Sequence, residues 1–129
     1  MKNKQTLDQL INGQLAGSRE IRLTHLGLKE FPLQILELAD SLELLDLSGN
    51  QLSHLPDEIA LLKKLKIVFF SDNCFEVFPD ILSQLPHLEM VGFKANAIHT
   101  ISEQALPPQL RWLILTQNKI TSLDWKSVV

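Results

Sequence analysis

The sequence predicts an α/β solenoid with a parallel β-sheet on its concave face, short helices or extended returns on its convex face, and a helical cap at its N-terminal end. Two observations carry this. The segments LELLDLSGNQLSHLP (42–56), LKIVFFSDNCFEVFP (65–79), LEMVGFKANAIHTIS (88–102) and LRWLILTQNKITSLD (110–124) superpose without gaps on an LxxLxLxxNxLxxL template, so that Asn50, Asn73, Asn96 and Asn118 recur at spacings of 23, 23 and 22. Hydrophobic residues make up 45% of the 129 residues and aromatics only 6%, which is the composition of a repetitive aliphatic core. A unit of this length cannot bury its apolar face alone, and stacking copies of it builds one continuous core.

The elements follow in chain order. Residues 1–17 form the predicted cap: Leu7, Leu10, Ile11 and Leu15 recur at helical spacing behind Thr6, and Gly13 is placed to end the helix. Residues 18–129 then divide into five repeats, 18–41, 42–64, 65–87, 88–109 and 110–129. The first, SREIRLTHLGLKEFP (18–32), is degenerate, with Leu26 where the asparagine stands elsewhere.

Within each repeat, two apolar residues two apart point to one face of a strand. The pairs Leu45/Leu47, Val68/Phe70, Val91/Phe93 and Leu113/Leu115 are therefore directed inward. The chain turns sharply after each strand and strands backbone polar groups inside the solenoid. An asparagine amide, both donor and acceptor, satisfies them. On the returning side, PDEIALLK (56–63) and PDILSQLP (79–86) open with Pro-Asp and place Ile59/Leu62 and Leu82/Leu85 toward the core. The segment SEQALPPQ (102–109) carries Pro107 and Pro108 and is expected to be extended or a single turn. After the fifth asparagine only DWKSVV (124–129) follows, which leaves three readings of that end open. Trp125, Val128 and Val129 form a minimal cap, the chain is a piece of a longer repeat protein, or two chains self-associate through their C-terminal ends.

The period and the L-x-L-x-x-N core resemble the leucine-rich repeat family over nearly the whole chain. The runs LGLKEFP (26–32), LEMVGFKANAI (88–98) and LPPQLRWLILTQNKI (106–120) are similar to the N-terminal repeat region of bacterial proteins that join leucine-rich repeats to a protein-kinase-like domain. LPPQL (106–110) also resembles repeats of bacterial effectors that carry ubiquitin-ligase domains, although those repeats are shorter. Both resemblances imply recognition of a partner or substrate. Neither carries over an activity, because no Gly-rich nucleotide loop, HRD or DFG motif is present.

Composition narrows the function classes further. A net charge of −3 lacks the basic footprint of a nucleic-acid binder. No stretch approaches the ~20 apolar residues of a membrane span, and 1–15 lacks the apolar run of a signal peptide. A single cysteine, Cys74, fits a reducing cytoplasm, and the absence of phosphate loop, nucleophile elbow, HExxH or CxxC leaves no enzymatic mechanism and no cofactor to expect. His25, His54, His87 and His99 read as surface residues without the carboxylate or cysteine partners of a metal site.

The residues between the inward pairs point to solvent on the concave face and form three columns. From repeat one to five these are Glu20, Leu44, Ile67, Met90, Trp112; then Arg22, Asp46, Phe69, Gly92, Ile114; then Thr24, Ser48, Ser71, Lys94, Thr116. The expected partner-binding set is Leu44, Ile67, Phe69, Met90, Trp112 and Ile114 as an apolar stripe, with Asp46 and Lys94 adding polar specificity. Part of that stripe also stabilises the sheet by same-face packing. The expected role is binding of another protein, with a structural or self-associating repeat fragment as the alternative.

Overall fold

A computed structural model describes residues 4–120 and 122–123. One helix, α1 (Leu7–Ile11), precedes seven short strands: β1 (Glu20–Arg22), β2 (Leu44–Asp46), β3 (Ile67–Phe69), β4 (Met90–Gly92), β5 (Thr100–Ile101), β6 (Trp112–Ile114) and β7 (Ser122–Leu123). The main sheet is parallel throughout, in the order β1-β2-β3-β4-β6. Each strand is separated from the next by one full circuit of the solenoid.

The returns are 3-10 helices at Leu33–Leu38, Asp57–Leu61, Asp80–Gln84 and Glu103–Ala105. A 22–23 residue circuit leaves only a few residues for the convex side, and the tighter 3-10 spiral covers more distance per residue than an α-helix. Pro32, Pro56 and Pro79 stand at the N-caps of the first three, where extended dihedrals turn the chain into the spiral. The fourth is a single turn, and Ala105 fills the core layer that Ile35, Ile59 and Leu82 fill in earlier repeats.

Ile21, Leu23, Leu45, Leu47, Val68, Phe70, Val91 and Phe93 are all completely buried beneath the sheet, whereas Leu113 and Leu115 are half-buried. Aliphatic layers give way in the middle of the solenoid to a phenylalanine cluster. Phe93 is its hub, with ring centroids 5.3 Å from Phe70, 5.1 Å from Phe75 and 5.2 Å from Phe78. Tilted and edge-on rings at this spacing add favourable quadrupole contacts to the burial itself.

The asparagines sit where each strand turns away from the sheet. The residue before each one is left-handed: Gly49 (φ 74°), Asp72 (φ 55°), Ala95 (φ 60°) and Gln117 (φ 60°). Asn73 Nδ2 donates to the Phe70 carbonyl of its own repeat (3.1 Å) and the Leu47 carbonyl of the preceding one (3.0 Å), and Oδ1 accepts from Leu52 N–H (2.9 Å). Asn50, Asn96 and Asn118 repeat the pattern, each reaching back one repeat. The ladder thus staples neighbouring repeats as well as the turn.

Repeat one keeps the left-handed residue, His25 (φ 57°), without the asparagine. A ladder residue bonds mainly to the repeat before it, and here the cap α1 takes that place. Leu26 is accordingly 46% exposed. Thr6 and Gln9 close α1 with reciprocal bonds: Gln9 N–H donates to Thr6 Oγ1 (3.1 Å) and Thr6 N–H to Gln9 Oε1 (3.0 Å). Leu10 is buried and Leu7 and Leu15 pack against the core, but Ile11 is exposed, contrary to its expected place on the buried face. With only 5 residues, α1 is too short to bury four apolar positions on one stripe. Asn12 forms the C-cap and Gly13 (φ 77°) follows in the left-handed region.

A second, two-stranded parallel sheet pairs β5 with β7 on the descending side, with Val77 bridging to Thr100. Nothing in the periodicity announced it. The expected cap of Trp125, Val128 and Val129 lies outside the described residues.

Candidate concave binding face

The register of the sheet builds the face directly. Glu20 pairs with Leu44, Leu44 with Ile67, Ile67 with Met90 and Met90 with Trp112. Arg22, Asp46, Phe69, Gly92 and Ile114 align in the same way. The first two columns are thus lines of cross-strand neighbours about 4.8 Å apart. Leu44, Ile67, Phe69 and Met90 are half-buried, while Trp112 is 52% and Ile114 38% exposed. The apolar column is continuous from repeat two and most open at repeat five.

Phe69 is committed partly to the chain itself. Gly92 is buried beneath its ring, and a Cβ on Gly92 would lie 2.9 Å from Phe69 Cδ1. The glycine leaves a notch in the second column and the neighbouring phenylalanine leans into it. Phe69 therefore keeps only the outer face of its ring toward the concave surface.

The polar residues differ in availability. Asp46 is held on both oxygens: Ser48 N–H donates to Oδ1 (3.0 Å) and the Arg22 guanidinium reaches Oδ2 (3.4 Å). Arg22 also lies 3.8 Å from Glu20. Repeat one thus closes the apolar column with a small self-contained charge network. Lys94 is exposed beside the column and forms no ion pair among the described residues.

Two features of this face went unread in the sequence. Arg19, Glu43, Lys66, Glu89 and Arg111, one residue before the first column, alternate in charge up the solenoid. Lys66 lies 3.8 Å from Glu43 and Arg111 3.7 Å from Glu89. The same register that reveals the apolar column would have found them. The other is Gln5, whose side chain lies against the outer edge of β1; a lone glutamine gives no periodic signal.

The four histidines are exposed, and so is Cys74. Among the described residues no group of three His, Cys, Asp or Glu side chains converges, and no helix is long and apolar enough to cross a membrane.

Comparison with known proteins agrees with this architecture. Residues 40–98 match the profile of the family described as leucine rich repeat. The chain is 34% identical over 118 residues to the mouse PH domain leucine-rich repeat-containing protein phosphatase 1, covering 88% of this chain and 7% of that protein. It is 46% identical over 59 residues to the human leucine-rich repeat and IQ domain-containing protein 4, covering 46% of this chain and 10% of that protein. Among solved structures, a leucine-rich repeat protein of Leptospira interrogans superposes with a TM-score of 0.76 at 30% identity, over 92% of this chain and 30% of the other. A chain of the Toll–Spatzle complex of Drosophila superposes with a TM-score of 0.65 at 25% identity, over 84% of this chain and 18% of the other. The chain thus spans a tenth or less of the length of these curated relatives.

Proposed function

This chain is a leucine-rich repeat solenoid, and from that premise we propose that it binds another protein on the concave face of its main sheet. The partner sits on Leu44, Ile67, Met90 and Trp112, with Phe69 and Ile114 widening the contact and Lys94 providing the available charge. Asp46 contributes by fixing Arg22 rather than by meeting the partner.

The observation that carries this reading is the exposure of Trp112 at the end of an unbroken apolar column, with Ile114 exposed beside it. Covering the open half of a tryptophan removes roughly 100 Å² of surface, worth ~2–3 kcal/mol. A sheet already held by the asparagine ladder loses little conformational freedom on docking. The Toll–Spatzle neighbour is a complex of two proteins by its own description, which supports protein binding as the use of this fold.

Leucine-rich repeat folds are typically non-enzymatic, and the phosphatase relative shares with this chain a stretch equal to 7% of its length. No phosphatase activity follows from that. The narrower resemblance to kinase-linked bacterial proteins extends the proposal to the recognition part of a longer polypeptide, and the mammalian relatives leave it without support. A cytoplasmic setting fits the exposed, unpaired thiol of Cys74.

Capture of proteins from the source lysate by the wild-type chain, compared with Trp112→Ser and Phe69→Ser, tests the reading. Specific capture by wild type that both substitutions abolish, at unchanged circular dichroism, supports it; capture indifferent to both overturns it. Sedimentation at high protein concentration separates capture of another protein from pairing of two copies of the chain.

A further inference from the structure

The main sheet has an outer edge at β1, and its first rung is already occupied by a side chain. Gln5 Nε2 donates to the Glu20 carbonyl (2.9 Å) and Gln5 Oε1 accepts from Arg22 N–H (2.6 Å). A C=O at one residue and an N–H two residues on are the two groups that a residue of a parallel neighbouring strand bridges. The Gln5 amide is therefore a stand-in for a sixth strand. The next rung on the same edge, the Arg22 carbonyl and Thr24 N–H, has no partner among the described residues. That rung opens into a cleft of about 560 Å³ lined by Lys4, Gln5, Glu20, Arg22, Thr24 and His25.

We propose that the outer edge of β1 is a strand-addition site for an extended peptide of a partner protein, latched at its first rung by Gln5. The peptide runs parallel to β1, takes the open Arg22–Thr24 rung first and displaces the Gln5 amide to complete the second. Alternate side chains of an added strand fall beside Glu20, Arg22 and Thr24 on the concave face. Lys4 at the cleft wall and Arg22, already flanked by Glu20 and Asp46, favour a peptide with one acidic residue beside Arg22 and uncharged residues beside Glu20 and Thr24. Main-chain bonds supply the affinity and these two cations the preference. The site is separate from the apolar column and stands whether or not that column binds protein.

The probe is a fluorescein-labelled seven-residue peptide of alternating valine and threonine with a single glutamate in place of the threonine that falls beside Arg22, followed by anisotropy on the whole chain. Saturable binding is expected, tightened about fivefold or more in Gln5→Ala, since a competing hydrogen bond is worth roughly a factor of five. Binding is expected to fall by at least as much in Thr24→Pro, which removes the open N–H, and to be unchanged in Trp112→Ser. A peptide N-methylated at the residues facing β1 is expected not to bind, and this tests the main-chain rung on unaltered protein if Thr24→Pro disturbs the melt. Equal binding of the N-methylated peptide, no saturable binding of the parent peptide, or no gain in Gln5→Ala overturns the proposal. So does dimerisation of Gln5→Ala without peptide, which makes a second copy the occupant.

Discussion

The Phe69 ring lies over Gly92, its neighbour on the adjacent strand, closely enough that a Cβ there would stand 2.9 Å from Cδ1. The pair couples the shape of the concave face to the absence of one side chain. Glycine in a strand costs about 0.5–1 kcal/mol in conformational freedom. Gly92→Ala recovers that amount but forces the ring to tilt outward. In a Phe69→Ala background the recovery is unopposed. Urea unfolding of the four proteins is expected to show Gly92→Ala stabilising by about 0.5–1 kcal/mol only when Phe69 is absent, a coupling of about 1 kcal/mol. Additive effects in the cycle would show that the ring and the glycine are independent.

Asn73 is buried and bonded to both its own repeat and the one before it. Asn73→Ala strands the buried Leu52 N–H, while the Leu47 and Phe70 carbonyls keep the amides of Asn50 and Asn96 and lose only their second side-chain donor. A loss of about 1–3 kcal/mol is expected by urea denaturation, the cost of one stranded buried group. Leu26→Asn, at the equivalent place in repeat one, is expected to change stability by less than about 0.5 kcal/mol. It has no earlier repeat to reach. A large gain there would show that the cap α1 offers backbone groups that a ladder residue satisfies.

Phe93 touches three other rings inside the core. Phe93→Ala removes a fully buried aromatic from the centre of the stack, and truncations of this kind cost about 3–5 kcal/mol. Because each repeat is stabilised by its neighbours, loosening the middle is expected to separate the ends. Hydrogen exchange of the Phe93→Ala protein should then show amides of β1 and β6 losing protection at different denaturant concentrations. A single shared transition would mean that the solenoid still unfolds as one unit.

The register and the facing of the main-sheet strands were readable because a fixed period transfers one geometry to each copy. The asparagine turn was readable for the same reason. What escaped depends on neighbours that no period encodes. Phe69 leans toward Gly92 because of a gap on the next strand. Gln5 reaches β1 across 15 and 17 residues of chain without any repeat to signal it. Asp46 was expected to add polar specificity to the face, and its spacing does not encode that Arg22 and Ser48 hold both its oxygens. The β5–β7 pair has two residues in each strand, too few for an alternation to be visible. Ile11 fell on the helical stripe by count, yet α1 ends at that residue and leaves it in solvent.

The apolar column and the charged network of repeat one predict opposite outcomes for substitutions on the same sheet. Ile67 and Met90 lie in the middle of the column and are half-buried by their cross-strand neighbours. A lysine at either place keeps its stem along the sheet and raises its charge into solvent, so the fold tolerates it. A docking partner does not, because it must then cover an unpaired ammonium, at a cost of several kcal/mol unless a counter-ion is supplied. Arg22→Ala instead removes a side chain already engaged with Glu20 and Asp46. Ile67→Lys and Met90→Lys are therefore expected to reduce capture of the partner at least 100-fold, while Arg22→Ala changes it less than about threefold. Isothermal titration with the captured protein measures both. Equal losses at the centre and at repeat one would move the contact off the column, onto the charged end of the sheet.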